Sequence, residues 1–422
     1  METDVIIIGA GIAGISAAKA LYKNGISFIL VEASHRIGGR AYSEELGKGN
    51  WFDLGCSYLH NGDINPFTKV AKKLNIPLGF EAGNLFHPER IKYFFGGKKL
   101  SVKQSERIKA SEKEILKKME EINLDCPIID CLNLEDPNLP IFWHLFSSLN
   151  AADPDMVSAK DYLSSVYSGP DYPVPYGFGN LISKWGSDIA AKLNTSVTRI
   201  DWQPGKLKVT TSKGSISAQK VLFTVSTAVL QNDIIKIIPD LPLEKRTALK
   251  NLPMGILNKV GVSFSKRVFS ENDRGYYVSW PKEENIDETD ISSFEISTCG
   301  FNNIVVFLGG RFGSWLEERG PETMRAYAIE KIGEVLGQKA TNYVDRTVTT
   351  AWSNDFLTGG SYSYAKPFGK RYRKELAKSI NRTLYFAGEA TVESHYGSAH
   401  GAHLSGVLAS KEIIKDIKTN KL

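Results

Sequence analysis

The chain has 422 residues, of which 42% are hydrophobic and 23% are charged. This composition excludes a disordered or fibrous protein, and the length exceeds one ordinary hydrophobic core, so we expect two domains. The formal net charge is only +5, from 52 basic and 47 acidic residues, and it requires no anionic partner. The densest basic region, residues 98–118, alternates lysine with glutamate, which is typical of a solvated helix face and not of a nucleic-acid interface.

The cysteines and the N-terminal segment indicate the cellular compartment in which the protein is expected. Four cysteines form no CxxC pair, so we expect free thiols in a reducing environment. No basic segment precedes the first apolar run, and no apolar stretch approaches the roughly 20 residues that span a bilayer. These observations predict a cytoplasmic protein with neither a signal peptide nor a membrane segment.

The N-terminal segment predicts a βαβ unit. Residues 4–8 (DVIII) are a short apolar run rich in β-branched side chains, as in a buried parallel strand. The turn GAGIAG leads into a predicted helix at residues 12–23. Residues 26–31 (ISFILV) form a second predicted strand that ends at Glu32. This order of elements is the one that binds the pyrophosphate of a dinucleotide.

Each glycine of the turn has a separate role in such a unit. Gly9 permits the tight turn, Gly11 lets the backbone approach a pyrophosphate, and Gly14 lets the helix pack on the strand. The helix N-terminus presents free N–H groups to phosphate, and Glu32 accepts hydrogen bonds from ribose hydroxyls. A tight turn without a ligand is the alternative. The strand, the helix and the acidic residue at the right distance together favour the dinucleotide.

The segment EASHRIGGR extends this predicted site. It places Gly38 and Gly39 between Arg36 and Arg40, directly after the ribose-binding acid. Adjacent glycines let a backbone approach a dinucleotide closely, and guanidinium groups neutralise its phosphates. Taken alone, the same segment also fits a charged surface loop.

The remainder of the chain alternates helical and strand patterns. Prolines and glycines across residues 150–180 predict a domain boundary. Amphipathic patterns predict helices at residues 66–74, 105–122, 181–193, 321–336 and 401–417. Short apolar runs predict strands at residues 197–202, 207–211, 214–218, 221–224, 259–264, 304–308 and 383–387. Gly205 and Gly214 lie near turns between these strands.

A second nucleotide-binding pattern lies near the C-terminus. The last predicted strand ends before Gly388 and Glu389, and a helix begins near Ser398. The N-terminus of that helix points at a ligand, where it stabilises negative charge. Two such patterns at opposite ends of the chain predict one nucleotide-binding domain assembled from separated segments, with a substrate domain inserted between them.

The motifs together carry a family resemblance that covers nearly the whole chain. It rests on the segments GAGIAG, EASHRIGGR, WFDLGCSYLHNG, GILNKV, WSNDFLTGGSY and LYFAGEAT…GSAHGAHLSG. With these segments the chain resembles the flavin-containing amine oxidases, the group of monoamine and polyamine oxidases. SYLHNG and GEAT…HGAHLSG are most similar to polyamine oxidases.

The resemblance implies a fold with an α/β part and an α+β part. The first is a discontinuous Rossmann-like FAD-binding domain formed by residues 1–80, 176–255 and 378–422. The second is an inserted substrate-binding domain formed by residues 81–175 and 256–377, with a mixed sheet flanked by helices. Beyond the residues named above, the implied FAD contacts are Gly55, Cys56, Ser57, Val197, Trp352 and Ala399.

The resemblance also implies catalytic roles for four residues. Lys259 matches the family lysine that holds a water near the flavin, and its apolar strand makes it a plausible proton acceptor. Trp352 matches an aromatic residue that packs on the flavin. Tyr362 matches one wall of the aromatic cage that holds the amine, and His60 falls where polyamine oxidases have a polar residue at the substrate tunnel.

Two positions depart from the monoamine oxidase pattern. Ser361 stands where those enzymes link the flavin to a cysteine, so we expect non-covalent FAD. Ser398 stands where they have the second cage tyrosine, so a simple monoamine is a poor match. The implied substrate is a polyamine-like primary or secondary amine.

The implied reaction oxidises that small-molecule amine to an imine, which hydrolyses to an aldehyde, and reduces O2 to H2O2. Substrate amines arrive protonated, so the tunnel should contain carboxylates. The chain order offers Asp161, Asp171 and Glu393 as candidates.

Three alternatives remain open at this point. An L-amino-acid oxidase shares the fold but needs an arginine for the substrate carboxylate, and Arg311 is the candidate. A flavin-dependent desaturase would have a broad apolar cavity and a membrane-binding surface. From another class, a non-enzymatic FAD-binding protein would not need Lys259, Trp352 and Tyr362.

The histidines of the C-terminal segment raise the question of a metal site. His400 and His403 are three residues apart and share a helix face, with His395 shortly before them. No carboxylate or cysteine completes a ligand set, and the glycine-rich setting fits flavin binding. We therefore expect no metal.

Overall fold

The computed structural model describes residues 2–47, 49–79, 91–165, 169–203, 206–283 and 286–419. The predicted domain boundary after residue 80 and the predicted turn at Gly205 lie outside these ranges. Within them, no helix has both the length and the apolar character needed to cross a membrane.

The strands of the described residues belong to two large sheets and two short ribbons. They are β1 (Glu2–Ile8), β2 (Phe28–Val31), β3 (Ser43–Gly47), β4 (Asn50–Asp53), β5 (Tyr58–Leu59), β6 (Ile91–Phe95), β7 (Lys98–Lys99), β8 (Tyr172–Pro173), β9 (Ala191–Lys192), β10 (Val197–Gln203), β11 (Lys206–Thr211), β12 (Gly214–Phe223), β13 (Lys236–Ile238), β14 (Leu257–Phe264), β15 (Gly275–Trp280), β16 (Ser292–Ile296), β17 (Asn303–Gly309), β18 (Val344–Thr349) and β19 (Leu384–Phe386).

The helices pack on the faces and edges of the two large sheets. They are α1 (Ile12–Lys23), α2 (Pro66–Lys73), α3 (Val102–Glu121), α4 (Leu139–Asn150), α5 (Ala159–Ser164), α6 (Phe178–Gly186), α7 (Thr227–Gln231), α8 (Leu243–Asn251), α9 (Gly310–Glu318), α10 (Pro321–Leu336), α11 (Gln338–Thr341), α12 (Arg371–Ala377) and α13 (Ala399–Thr419). Short 3₁₀ turns lie at Ile128–Cys131, Glu271–Asp273, Thr298–Gly300 and Glu389–Thr391.

The first large sheet is the Rossmann-like one. Its eight strands run in the order β13-β10-β11-β12-β1-β2-β9, with β19 also paired to β12. The pairs β12–β1, β1–β2, β2–β9 and β12–β19 are parallel. In β1, Val5 and Ile7 pack into one core cluster and Ile6 and Ile8 into another. Because both faces of β1 are covered, its sequence is a continuous apolar run. The predicted Rossmann-like fold is confirmed.

Two elements of this sheet differ from the sequence prediction. The predicted strands 214–218 and 221–224 are one strand, β12. Residues 219–220, between the two predicted strands, continue the strand, and the buried Lys220 donates hydrogen bonds to Arg382 O at 2.6 Å and to Tyr385 Oη at 3.1 Å. The predicted helix at 181–193 is wrong in its second half. It ends at Gly186, because residues 191–192 pair with β2 at the edge of the sheet.

The second large sheet is built from strands within residues 91–99 and 257–349. Its seven strands run in the order β18-β14-β17-β16-β15-β6-β7. Every pair is antiparallel except β15–β6, so the predicted mixed sheet flanked by helices is confirmed. Helix α3 packs on this sheet through Ile108, Ile115 and Met119, which share a core cluster with Tyr93 of β6. The periodic apolar residues of α3 explain why a charged helix is stable in this place.

A buried ion pair joins two helices that are remote in sequence. Arg373 of α12 donates Nε to Asp161 Oδ1 and Nη2 to Asp161 Oδ2, both at 2.8 Å, and neither side chain is exposed. Arg373 also donates to Ser363 Oγ at 3.0 Å, and its guanidinium lies 3.9 Å from the ring centre of Tyr396. This pair ties α5 to α12, 212 residues further along the chain.

The substitution Asp161→Asn tests this tie. It leaves the Arg373 charge buried without a counter-ion, so the free energy of unfolding should fall by about 3–5 kcal/mol. Urea unfolding measures the change. Glu121→Gln, in the exposed i,i+4 pair with Lys117, is the matched control and should have no measurable effect. Equal stability of the two variants would contradict a structural role for the buried pair.

Candidate active site

One cavity of about 890 Å³ connects the two large sheets. Every residue predicted to contact FAD lies in its wall except Gly14. The four predicted catalytic residues, Lys259, Trp352, Tyr362 and His60, lie in the same wall. The structure thus brings the predicted residues together around one space, while the role of each remains a prediction.

The glycine turn lies where the cavity meets α1. Gly9 has φ +100°, a left-handed conformation that favours glycine, and its N–H donates to Val31 O at 2.9 Å. A Cβ on Gly14 would lie 2.0 Å from Gly9 O, so Gly14 packs directly on the turn and not in the cavity wall. A Cβ on Gly39 would lie 3.2 Å from Gly11 Cα. The second glycine segment therefore lies against the first.

The Glu32 carboxylate accepts backbone hydrogen bonds from the glycine turn and from the segment that follows β2. Its Oε2 accepts a hydrogen bond from Ala10 N–H at 2.7 Å, and its Oε1 accepts one from Ser34 N–H at 2.8 Å. Sequence reasoning predicted a ribose acceptor and missed these backbone bonds. A carboxylate has about four lone-pair sites, so capacity for ribose hydroxyls remains.

The two arginines of the EASHRIGGR segment differ in their surroundings. Arg36 donates to Gly39 O at 2.8 Å and lies 3.8 Å from the ring centre of Tyr42. Burial lowers the pKa of Arg36, and nearby acidic groups oppose that effect. Arg40 instead donates to Ser361 O at 2.8 Å and to Glu389 Oε1 at 3.0 Å. Arg40 is therefore engaged by protein groups remote in sequence.

Glu389 is a buried carboxylate with several donors. Besides Arg40, it accepts hydrogen bonds from Ser363 N–H at 3.0 Å, Ser363 Oγ–H at 2.7 Å and Gly397 N–H at 3.0 Å. Burial acts to raise the pKa of Glu389, but Arg40 and Arg373 hold it below its usual value. The residue is thus an anion that fixes the loop before α13.

The N-terminus of α13 faces the cavity. Ser398 Oγ accepts a hydrogen bond from Gly401 N–H at 3.0 Å and donates one to His395 O at 2.6 Å, so it caps the helix. Gly388 N–H donates to Ser405 Oγ at 2.8 Å. Ser398 and Ala399 lie in the cavity wall, where the helix dipole favours negative charge on a ligand.

Lys259 is buried, and its ammonium group meets three oxygen atoms. Nζ donates to Asp53 O at 3.1 Å, to Gly55 O at 2.6 Å and to Ser57 Oγ at 2.6 Å. Burial lowers the pKa of Lys259, while the negative charge of Asp53 acts in the opposite direction. Burial also raises the pKa of Asp53 to about 7. This lysine therefore exchanges a proton more readily than an exposed one.

Gly55 is the close contact point between Lys259 and Trp352. A Cβ on Gly55 would lie 1.8 Å from Arg40 O and 3.4 Å from Trp352 Cζ2, so only glycine fits. The backbone N–H of Cys56 donates to Arg40 O at 3.3 Å, and burial raises the pKa of its thiol. Cys56 is thus a neutral wall residue.

Tyr362 and His60 form other parts of the wall. The Tyr362 hydroxyl faces Ser148 O at 3.1 Å and Leu149 O at 2.9 Å. A Cβ on Gly397 would lie 3.1 Å from Tyr362 Cδ2, so the ring packs beside the loop before α13. His60 Nδ1 lies 2.8 Å from Asp171 Oδ1, and this pairing orients the imidazole.

Three predicted acidic residues are not in the cavity wall. Asp161 is paired with Arg373, the buried Asp171 contacts His60, and Glu393 forms an ion pair with Lys374 at 2.8 Å. These candidates from chain order therefore do not line the cavity: Asp161 and Glu393 are paired with basic side chains, and Asp171 contacts His60 of the wall.

Arg311 is not in the cavity wall either. It forms ion pairs with Asp153 at 3.1 Å and with Asp155 at 2.7 Å. The candidate arginine for the substrate carboxylate of an L-amino-acid oxidase is therefore paired with two aspartates outside the cavity wall.

Other wall residues were missed by sequence reasoning. One face of α3 lines the cavity, including Glu112 and Glu120, although its charged sequence predicted a solvated helix face. Tyr396 also lies in the wall, packed under Arg373. The spacing of the α3 residues was a usable signal, but it did not reveal which face meets the sheet.

The C-terminal histidines have different partners. The rings of His395 and His400 stack with centroids 4.2 Å apart, and His403 Nδ1 lies 2.8 Å from Ser16 Oγ. Among the described residues, no group of three or more His, Cys, Asp or Glu side chains could hold a metal ion.

Known proteins resemble this chain in sequence and in fold. A family model described as "Flavin containing amine oxidoreductase" matches residues 12–168 and 133–414. "Polyamine oxidase 5" of Oryza sativa subsp. japonica is 28% identical over 98% of this chain and 88% of its own length. "Lysine-specific histone demethylase 1 homolog 2" of Arabidopsis thaliana is also 28% identical, but this chain spans only 58% of its length. A solved structure of a redesigned putrescine oxidase aligns with TM-score 0.78 and 17% identity, over 98% of this chain and 99% of that one.

The fold and the family match lead to one class of protein, a flavin-dependent oxidoreductase. The chain belongs to the flavin-containing amine oxidoreductase family. Members of this class act on CH–NH or CH–NH2 groups, and the expectation of such an enzyme is confirmed.

Proposed function

We propose that the chain is an FAD-dependent oxidase of a polyamine-like primary or secondary amine. The amine and O2 yield an imine and H2O2, and water then converts the imine to an aldehyde and a smaller amine. The observation that carries the proposal is the shared cavity. It joins the glycine turn and the α13 N-terminus to Lys259, Trp352 and Tyr362.

The residues present fit FAD. Closely packed glycines leave room for backbone contact with a pyrophosphate, and Glu32 lies at the end of β2 with lone pairs to spare. The N-termini of α1 and α13 both favour negative charge. Bound FAD would supply the two-electron acceptor and the reactivity with oxygen. Ser361, in the position of a linking cysteine, supports non-covalent binding.

The side chains around the reacting centre would bind and deprotonate the amine. Trp352 and Tyr362 provide aromatic walls that exclude water and hold an apolar carbon chain. Burial lowers the pKa of Lys259, and in its neutral form Nζ would accept a proton from the amine directly or through water. His60, oriented by Asp171, would hydrogen-bond a polar group of the substrate.

The cytoplasm remains the proposed location. All four cysteines are free thiols, which suits a reducing compartment. The Sγ atoms of Cys126 and Cys131 are 3.8 Å apart and thus unbonded.

A panel of amines tests the proposed substrate class. We expect linear polyamines and their acetylated forms to give higher kcat/KM than benzylamine or phenylethylamine, because Ser398 removes one wall of an aromatic cage. A peroxide-coupled assay measures each rate, and the panel includes L-amino acids. Preference for arylalkylamines would contradict the assignment. Oxidation of amino acids alone would replace it with an L-amino-acid oxidase.

The substitution Lys259→Met tests the proton acceptor. Methionine keeps much of the length and apolar volume, so FAD should stay bound while amine-dependent flavin reduction slows about 10²–10⁴-fold. Anaerobic stopped-flow absorbance measures the rate.

Lys245→Met is the matched control for this test. Lys245 is also buried and donates to Glu375 O, Leu376 O and Lys378 O, but it lies outside the cavity wall. Its substitution should lower stability and leave flavin reduction unchanged. If the rate of flavin reduction in Lys259→Met is within a factor of about three of the wild-type rate, Lys259 has only a structural role.

A further inference from the structure

Lys259 has three hydrogen-bond partners, which together take up every proton of its ammonium group. Nζ donates to Asp53 O at 3.1 Å, to Gly55 O at 2.6 Å and to Ser57 Oγ at 2.6 Å. A lysine ammonium group has three N–H donors and no acceptor. Protonated Lys259 therefore has no N–H left for a molecule in the cavity.

The three partners differ in what they offer to neutral Lys259. Asp53 O and Gly55 O are backbone carbonyl oxygens, which only accept hydrogen bonds. The Ser57 hydroxyl both donates and accepts. Neutral Nζ has one lone pair in place of the third proton, and a carbonyl oxygen repels a lone pair that is turned toward it. The lone pair of neutral Lys259 therefore faces Ser57, the one partner of the three that has a proton to donate.

Ser57 also borders the cavity. Its hydroxyl lies 3.3 Å from Gly55 O, which accepts the hydroxyl proton while Lys259 is the donor. A hydroxyl proton rotates to suit its partners. Rotation about the Cβ–Oγ bond turns this proton toward Nζ without moving a heavy atom. Ser57 thus connects the cavity to Lys259 in both protonation states of the lysine.

We propose that Ser57 relays to Lys259 the proton that the substrate amine gives up. This inference rests on the proposed function and deepens it by naming the route of that proton. Neutral Lys259 Nζ takes the proton of the Ser57 hydroxyl, and Ser57 Oγ takes a proton from the substrate ammonium group, directly or through one water. One N–H bond breaks at the substrate, the O–H bond breaks and forms again, and one N–H bond forms at Nζ. The amine becomes neutral and Lys259 becomes an ammonium group.

The ionisable groups around Lys259 set the pH range for a test. Burial lowers the pKa of Lys259, and the charges of Asp53, Cys56 and Glu295 oppose this. Burial raises the pKa of Asp53 to about 7 and raises the pKa of the Cys56 thiol. Glu295, on β16, accepts a hydrogen bond from Tyr58 Oη. Rates are therefore compared above the pKa of Asp53, from about pH 8 to about pH 10, in variants that leave all these groups in place.

The substitutions Ser57→Val and Ser57→Thr test the relay as a matched pair. The two side chains have similar shapes, but only threonine keeps a hydroxyl, and the valine methyl group excludes a replacement water. At about pH 8, Ser57→Val should slow flavin reduction by spermine about 10²-fold, the lower end of the range for a positioned proton-transfer group. Ser57→Thr should stay within about threefold of wild type. Anaerobic stopped-flow absorbance measures the rate, and the absorbance of bound FAD shows that the cofactor is retained.

The loss in Ser57→Val should depend on pH in one direction. An alkylamine has a pKa of about 10, similar to that of lysine, so more spermine presents a neutral amine as the pH rises. A neutral amine has no proton to give up before it is oxidised, so the loss should shrink toward about pH 10. A loss that is equal at both ends of the pH range would indicate altered packing of the wall and would overturn the relay. An equal loss in Ser57→Thr and Ser57→Val would also overturn it.

A double variant tests whether Ser57 acts through Lys259. If it does, Ser57→Val adds no further loss to Lys259→Met, because the two residues serve one route. Losses that multiply would overturn the relay. Ser263→Ala is the matched control, since it removes a serine hydroxyl from the same strand as Lys259. Ser263 Oγ donates to Leu46 O at 2.9 Å outside the cavity wall, and its removal should leave flavin reduction unchanged.

A measurement without turnover separates this inference from the proposed function. If wild type oxidises no amine, the proposed function is overturned, and proton exchange at Lys259 still decides the relay. In FAD-loaded protein with isotope-labelled lysine, nuclear magnetic resonance follows the exchange of Nζ protons with water, and the signal missing from Lys259→Met identifies Lys259. Exchange should be about 10-fold slower or more in Ser57→Val than in Ser57→Thr, because the carbonyl partners pass on no proton. Equal exchange in the two variants rejects the relay.

Discussion

The contact on which the candidate site depends is the ion pair between the partly buried Arg40 and the buried Glu389. Isolated burial would neutralise the Glu389 carboxylate, and the guanidinium of Arg40 and the donors of Ser363 and Gly397 keep it charged. Arg40 simultaneously binds Ser361 O. The Arg40–Glu389 pair therefore joins two segments that are 349 residues apart in sequence, and Glu389 also holds Ser363 and Gly397. Arg40, Ser361, Glu389 and Gly397 all line the cavity.

The cavity that results has two chemically different ends. At one end, glycine turns and the N-termini of α1 and α13 favour an anionic dinucleotide. At the other end, Lys109, Glu112, Lys113 and Glu120 of α3 line the wall. Lys259 belongs to the same cavity wall, and burial lowers its pKa.

Local sequence patterns predicted the βαβ unit at the first end of the cavity, but they did not show which residues line the second end. The βαβ unit is encoded by contiguous residues, so β1, α1 and Glu32 could be assigned from the chain alone. The carboxylates that chain order offered as candidates for the tunnel do not line the cavity. Asp161 is taken by Arg373, across 212 residues, and no local pattern reveals this. Glu112 lies in α3, whose alternating charges predict a solvated helix face. In the structure, one side of that helix packs against the second sheet.

The most direct test of this account is an anaerobic titration of the FAD-loaded protein with spermine, followed by flavin absorbance. The account predicts complete bleaching with one equivalent of amine per flavin. It further predicts one equivalent of H2O2 on admission of oxygen and release of intact FAD on acid precipitation. A flavin that no amine reduces, or one that remains attached to the denatured chain, would contradict it.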